Sequence, residues 1–376
     1  MSRFPLNDYD WSAVERTKQF IRALYGRTPP GHPGCILHTA SRAGLPPPPP
    51  GLDDDALAVW RFTETLRRTP HPGDQSVPCF GAGVGGTCLL ASAFGGRERV
   101  NESGNHWLEP IIHDPSEVFR LKTPSLAEGA IGGMLERIGR LGALLDERVT
   151  ISPADFQSPF TTAEQLLGSD LFFLMPYDAP KALHCLMDLL TDFSIRFFRE
   201  QFKRIGPQAS RGSWPGIYFP PEAGIQMSDD NMVNVSPEIY DEFVVPYNNR
   251  VSEAFGGLFL HSCVVKEHNL PSLGKIRGLR GVNTDISSSV GPRQFYDALG
   301  DGVVFAPHAY VNTETNFKSY ADFARYALDG YRPGRRLFVY PCVAMYLPGE
   351  CRDLPFNPGE VLDVLRTAGY PDMELY

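Results

Sequence analysis

Apolar positions along the chain switch between two periods, and the switch points mark its elements. Residues 9–25 repeat their apolar positions every three to four residues, which predicts a helix, and run into the turn "RTPPGHPG". "CILHTA" (35–40) is a short apolar run that predicts a strand. "AGLPPPPPGLDDD" predicts a loop, because five consecutive prolines favour polyproline II and donate no ladder hydrogen bonds. From about residue 148 the alternation becomes regular. "RVTISPADF" predicts a strand, "TTAEQLLG" a short helix capped by Thr161 or Thr162, and the stretch from Ser169 to Gly206 contains a long amphipathic helix. "GSWPGIYFPP" predicts the next strand and "SPEIYDEFVVPYNNRVSEAFG" a helix capped by Ser236. "GLFLHSC", "GVNTDIS", "GVVFAPH" and "LFVYPCV" predict four more strands, the last three each preceded by a helical segment.

Strand, helix, strand at this spacing implies parallel pairing, since parallel neighbours need a long crossover. Roughly eight such units favour a closed barrel over an open sheet. The expected fold is therefore α/β: a single (β/α)8 TIM barrel over residues 31–376, with residues 1–30 as an N-terminal helical extension covering one end.

Composition narrows the partners. With 35 basic and 44 acidic side chains the formal charge is −9, and no basic stripe exists to neutralise phosphates, which argues against nucleic acid and anionic membranes. No apolar run reaches 18 residues, so no membrane span is expected. The polar, partly acidic start "MSRFPLNDYDWSAVERTKQF" does not fit a secretory signal. The seven cysteines, scattered and odd in number, then read as reduced thiols in a cytoplasmic protein, some of them available to a metal. "GAGVGG" (81–86) fits the dinucleotide fingerprint in letters only: "VPCF" before it is short and broken by Pro78, and no second strand ending in an acid follows. A flexible glycine loop is the better reading.

In a barrel, chemistry sits where strands end and the loops to the next helix begin. Those positions hold Asp229, Asp230 and Asn231 after "IQMS", His261 and Cys263 in "LFLHSC", Asn283 and Asp285 in "GVNTDIS", His308 and Tyr310 in "APHAY", and Cys342 in "YPCV". His261 and Cys263 are two residues apart, so on a strand both point to one face, about 6–7 Å apart at Cα, and both can reach one ion. Zinc accepts imidazole nitrogen and thiolate sulfur. Cys342 closes such a site from a later strand, and Asp285 is the natural oxygen donor for a fourth position. The plain alternatives are core packing for the histidine and cysteines, and helix capping for Asp285. Cys185, beside His184 on a helix, points elsewhere and reads as core, while Cys35, Cys79, Cys88 and Cys351 lack partners at useful spacing.

The stretch "DDNMVNVSPEIYDEFVVPYNNRVSEAFGGLFLHSC" resembles, in order, the acidic loop, Ser-Pro helix start, Pro-Tyr helix and His-x-Cys strand of the uroporphyrinogen decarboxylase-like superfamily. "SPADFQSPFTTAEQLLGSDLFFLMPYDAPKALHCLMDLLTDF" resembles the preceding half of its barrel. The decarboxylase branch carries an arginine-rich "RQAGR"-like motif, where this chain reads "CILHTASRAG" with Arg42 alone. The metal-dependent branch, which contains methylcobamide:coenzyme M methyltransferases, carries His-x-Cys and a distant Cys as zinc ligands, matching His261, Cys263 and Cys342. Val264 departs from the glycine usual after that motif. The resemblance implies a TIM barrel, zinc, and a corrinoid held by a separate partner protein. The function it implies is methyl transfer between that corrinoid and a small-molecule donor or acceptor. Asp230 and His308 are the candidates for moving protons, and Asp229, Asn231 and Tyr310 for holding substrate, with solvated-loop or structural roles as their alternatives. Two rival functions stand beside it: a metal-free lyase acting on a polycarboxylate, and a barrel that only binds. A homodimer is an open option for the assembly.

Overall fold

The computed structural model describes residues 4–37, 45–68, 73–83, 86–100, 106–127, 129–214, 216–309, 317–341 and 357–372. Its strands are β1 (Gly34–Cys35), β2 (Cys79–Gly81), β3 (Glu98–Val100), β4 (His106–Leu108), β5 (Thr150–Ser152), β6 (Ile225–Ser228), β7 (Leu258–His261), β8 (Leu279–Asp285), β9 (Val304–Ala309) and β10 (Phe338–Pro341). β3 and β4 form an antiparallel hairpin, and all the other pairings are parallel. Six strands run in the order β1-β10-β9-β8-β7-β6, and β2 pairs with β5. Helices separate every consecutive pair of parallel strands, as a right-handed crossover requires.

β1 and β10 are the first and last strands among the described residues, and their pairing joins the two ends of the strand series in a TIM barrel. The ladder is interrupted at two seams. Between β5 and β6 the segment 209–211 is inserted: Ser210 N–H donates to Ile151 O at 2.9 Å, and Gln226 N–H donates to Arg211 O at 2.9 Å. Between β1 and β2 the contact is a backbone bond from Gln75 N–H to Cys35 O at 3.0 Å.

Local chemistry explains the element ends. The helix Pro159–Leu167 is capped by Ser158, whose hydroxyl accepts from Thr161 N–H at 3.0 Å, with Pro159 in its first turn. This corrects the expected cap at Thr161 or Thr162, which lie inside the helix. The long helix Pro180–Ile205 ends at Gly206 as expected. Ser236 does cap the next helical stretch, but that stretch is two helices, Pro237–Phe243 and Val245–Phe255. Pro246 has no N–H to give to the preceding turn, and the helix breaks at Val244.

"GSWPGIYFPP" is not a strand. Its three prolines cannot donate to a ladder, and Ile217, Tyr218 and Phe219 instead plug the N-terminal end of the barrel. They pack with Ile21 and Leu24 of the helix Trp11–Tyr25 and with Phe259, Val304, Ala306, Phe338 and Tyr340 from the strands. Phe259 and His261 share one face of β7 by the two-residue period. One strand therefore builds both the apolar floor and the polar mouth above it. Among the described residues no helix is long and apolar enough to cross a membrane.

Candidate active site at the barrel mouth

Inward-facing positions above the floor are polar: Ser228 on β6, His261 on β7, Asn283 on β8 and His308 on β9, all buried. Register sets their neighbours, with His261 opposite Asn283 and His308 opposite both Asp285 and Tyr340.

Asp230, His261 and Cys263 converge, with one ligand atom from each lying within 4.8 Å of the others. Cys263 Sγ is 3.6 Å from His261 Nε2, and Asp230 Oδ1 is 3.7 Å from the same nitrogen. Bonds of 2.0–2.3 Å about a tetrahedral zinc leave about 3.3–3.8 Å between ligand atoms, so the donor set suits that ion and both measured separations lie within that range. Asp230 Oδ1 also accepts the Cys263 N–H at 2.7 Å, which fixes the turn after β7.

The second nitrogen of His261 has two polar neighbours. Trp214 Nε1–H is directed at Nδ1 at 2.9 Å, and Asn283 Oδ1 lies 2.6 Å from the same atom. Asn283 Nδ2 donates to the Ala306 carbonyl, so its amide oxygen faces the ring and calls for a proton on Nδ1, whereas the indole N–H calls for a lone pair there. Nε2 faces Cys263 and Asp230. Burial holds the imidazole pKa below its usual value, so the ring is neutral. The Cys263 thiol is pushed up to about 12, first by the packing around its sulfur and then by the Asp230 carboxylate.

Other expected residues lie elsewhere. Asp285 is outside the converging group, and its carboxylate accepts from Ser287 N–H at 2.9 Å, Ser287 Oγ at 2.7 Å and Ser288 Oγ at 3.3 Å. Its oxygens are engaged in capping their own turn. Asp229 was expected to touch substrate, but it is fully buried beneath the mouth. It accepts from Tyr240 at 2.7 Å, Ser158 at 3.0 Å and Asn248 at 3.3 Å, and its N–H donates to His261 O at 2.8 Å. In that place it ties the end of β6 to β7. Asn231 accepts from Asn234 at 3.1 Å within a short 3-10 turn. His308 is buried beside His261, ring centroids 5.8 Å apart, and burial lowers its pKa to about 3. Cys342, Tyr310, Arg42 and Cys351 lie outside the described residues. Cys185 is half-buried on the helix Pro180–Ile205 and packs against the hydrophobic core. Trp214 and Asp155, which the sequence reading passed over, both stand at this mouth. The signal for Asp155 was its place just after a strand, in "ISPAD".

Residues 87–217 match the family model of uroporphyrinogen decarboxylase (URO-D). The uroporphyrinogen decarboxylase of Syntrophotalea carbinolica is 30% identical over 206 residues, 52% of this chain and 54% of that protein. The chain thus matches about half the length of that curated relative. A methyltransferase from Methanosarcina mazei shares the fold with a TM-score of 0.61 at 17% identity, over 94% of this chain and 97% of that one. Over residues 87–217 the chain is similar to uroporphyrinogen decarboxylases, and over most of its length it shares the fold of that methyltransferase. The family-model match ends before Asp230, so the converging group lies beyond it, whereas Asp155 and Trp214 lie within it.

Proposed function

We propose that the chain is a zinc-dependent methyltransferase that moves a methyl group between a corrinoid carried by a separate protein and a small molecule. The observation that carries the reading is the convergence of Asp230, His261 and Cys263 within 4.8 Å at the end of the barrel where chemistry is expected. These three residues would hold the ion, with Cys342, which follows the last residue of β10, as a candidate fourth. Zinc bound there would lower the pKa of a thiol substrate or polarise a methyl donor. A cytoplasmic setting, which keeps thiols reduced, suits such a site.

The chain's own residues prepare it. Asn283 holds the histidine ring in place, Asp230 sets the turn that carries Cys263, and Asp229 ties the strands beneath both. His308 is kept neutral by burial and offers its ring as a wall beside His261. Methyl transfer by a fold-sharing methyltransferase supports the same reading. A second reading, decarboxylation of a polycarboxylate, is favoured by the likeness to a decarboxylase. Against it, Asp155, Asp230 and Asp285 all act on the Cys263 thiol, a negative field that repels an anionic substrate.

Elemental analysis of purified protein is expected to return about one zinc per chain, and methylcobalamin is expected to give up its methyl group to a member of a thiol panel. A chain devoid of transition metal overturns the zinc reading, and carbon dioxide release from a polycarboxylate by the same protein favours the second.

A further inference from the structure

Next to the converging group is a cavity of about 280 Å³ between Gly81, Gly83 and Gly86, at and after β2, and the loop after β5. Gly81, Gly83 and Gly86 form one wall, and Asp155, Ser213 and Trp214 stand on the others. Trp214 joins the cavity to the candidate metal site, because its Nε1 lies 2.9 Å from His261 Nδ1.

Two glycines in this wall are not demanded by the backbone. Neither Gly81 nor Gly83 has a positive φ. A Cβ at Gly81 would rest 3.8 Å from Ser152 Oγ, and one at Gly83 would rest 3.5 Å from Ala154 Cα, both ordinary contacts. The fold tolerates side chains at both positions, and both glycines line the cavity. The volume suits a small molecule.

Asp155 supplies the recognition. Its Oδ2 accepts from Gln157 Nε2, whereas Oδ1 is buried with no geometrically formed hydrogen bond, and the Ser228 hydroxyl and Phe156 N–H are the carboxylate's other polar neighbours. Among the described residues Asp155 enters no ion pair, and Asp230 lies close enough to add a second negative charge to its field. A buried acceptor without a donor costs free energy unless a guest supplies one. A neutral donor would leave the paired carboxylates uncompensated, and an anion would be repelled. A protonated nitrogen meets both demands with one charge-assisted hydrogen bond.

The geometry points to Asp155 as the anchor for a small cationic substrate, held by a protonated nitrogen in the cavity between the glycine turn and Trp214. This assignment rests on the barrel mouth being a site for small-molecule chemistry, and it gives the substrate class that the metal reading leaves open.

The test uses dimethylammonium chloride as probe on the purified full chain, both as isolated and after chelation, with binding followed by ligand-observed NMR line broadening. Acetate and acetamide serve as anionic and neutral controls. Dimethylammonium is expected to bind, and the controls are not. Asp155→Asn, which keeps the shape and removes the charge, is expected to weaken binding by about tenfold or more. Zinc content is measured on the same samples. Retained zinc together with lost cation binding in Asp155→Asn supports the anchor. Cation binding that persists and stays sensitive to Asp155 in a chain without zinc upholds the anchor while the metal reading falls. Unchanged binding in Asp155→Asn, or acetate binding as well as the cation, overturns the proposal. Should Asp155→Asn fail to fold, Gly81→Val fills the cavity with the charge in place, and unaltered binding in that variant overturns it equally.

Discussion

Removing the Asn283 side chain separates the two things it does. In Asn283→Ala the imidazole loses the acceptor 2.6 Å from Nδ1, and the buried Ala306 carbonyl loses its amide donor. Each bond contributes about 1 kcal/mol net, and each buried group left unpaired costs about 1–3 kcal/mol. Together these predict a stability loss of about 2–4 kcal/mol, read by urea denaturation. The freed ring can then place its proton on Nε2, the atom 3.6 Å from Cys263 Sγ. Loss of such an orienting partner typically costs about 10–100-fold in metal affinity, read by competition of the folded protein against a chromophoric zinc chelator. Asn283→Asp distinguishes the effects. It keeps an acceptor beside Nδ1 but sets a second oxygen against the Ala306 carbonyl, so stability falls while zinc affinity holds. Full zinc affinity in Asn283→Ala would refute an orienting role for this residue. Equal loss in both variants would mean that packing alone is at stake.

Cys263→Ser and Asp230→Asn are each expected to cut zinc stoichiometry measured by elemental analysis, while Asp285→Asn keeps it, because the Asp285 oxygens cap their own turn and asparagine still caps well. Cys185→Ser should also keep its zinc and lose only modest stability. The Asp146 carboxylate is held below its usual pKa chiefly by the Arg148 guanidinium and also by Leu6 N–H. A lowered folded-state pKa contributes stability above about pH 4, which is lost as pH falls through the folded value. Asp146→Asn should therefore cost about 1–3 kcal/mol at pH 7, with the gap to wild type closing toward pH 3 in denaturant titrations. At Gly224, φ is +77° and a Cβ would sit 2.0 Å from Gly257 O, backbone that cannot yield. Gly224→Ala should cost more than about 2 kcal/mol, and a thermal midpoint equal to wild type would contradict it.

The alternation of strand and helix was legible in the chain itself, because apolar period is set by local geometry and survives without knowledge of neighbours. So was the pairing of His261 with Cys263, since two residues on or just after one strand can hardly avoid sharing a face. Ser236 as a cap and Gly206 as a helix end were equally local. What failed locally was "GSWPGIYFPP": its apolar run reads as a strand, and only the open end of the barrel explains why Ile217, Tyr218 and Phe219 serve as a plug. Which carboxylate joins His261 and Cys263 was decided by tertiary structure. Asp229, Asp230 and Asp285 look alike in sequence at strand ends, but donors reach Asp229 from three separate segments and Asp285 from its own turn. Asp230 alone of the three faces Nε2 of the histidine. Asn283 as a partner of the histidine ring, and Asp155 as a buried acceptor beside a cavity, depend on contacts between residues 22 and more than 70 positions apart. A sequence records which groups a residue carries. Whether their hydrogen bonds are already met is a property of the packed neighbours, and at this site that difference divides structural carboxylates from those left to bind.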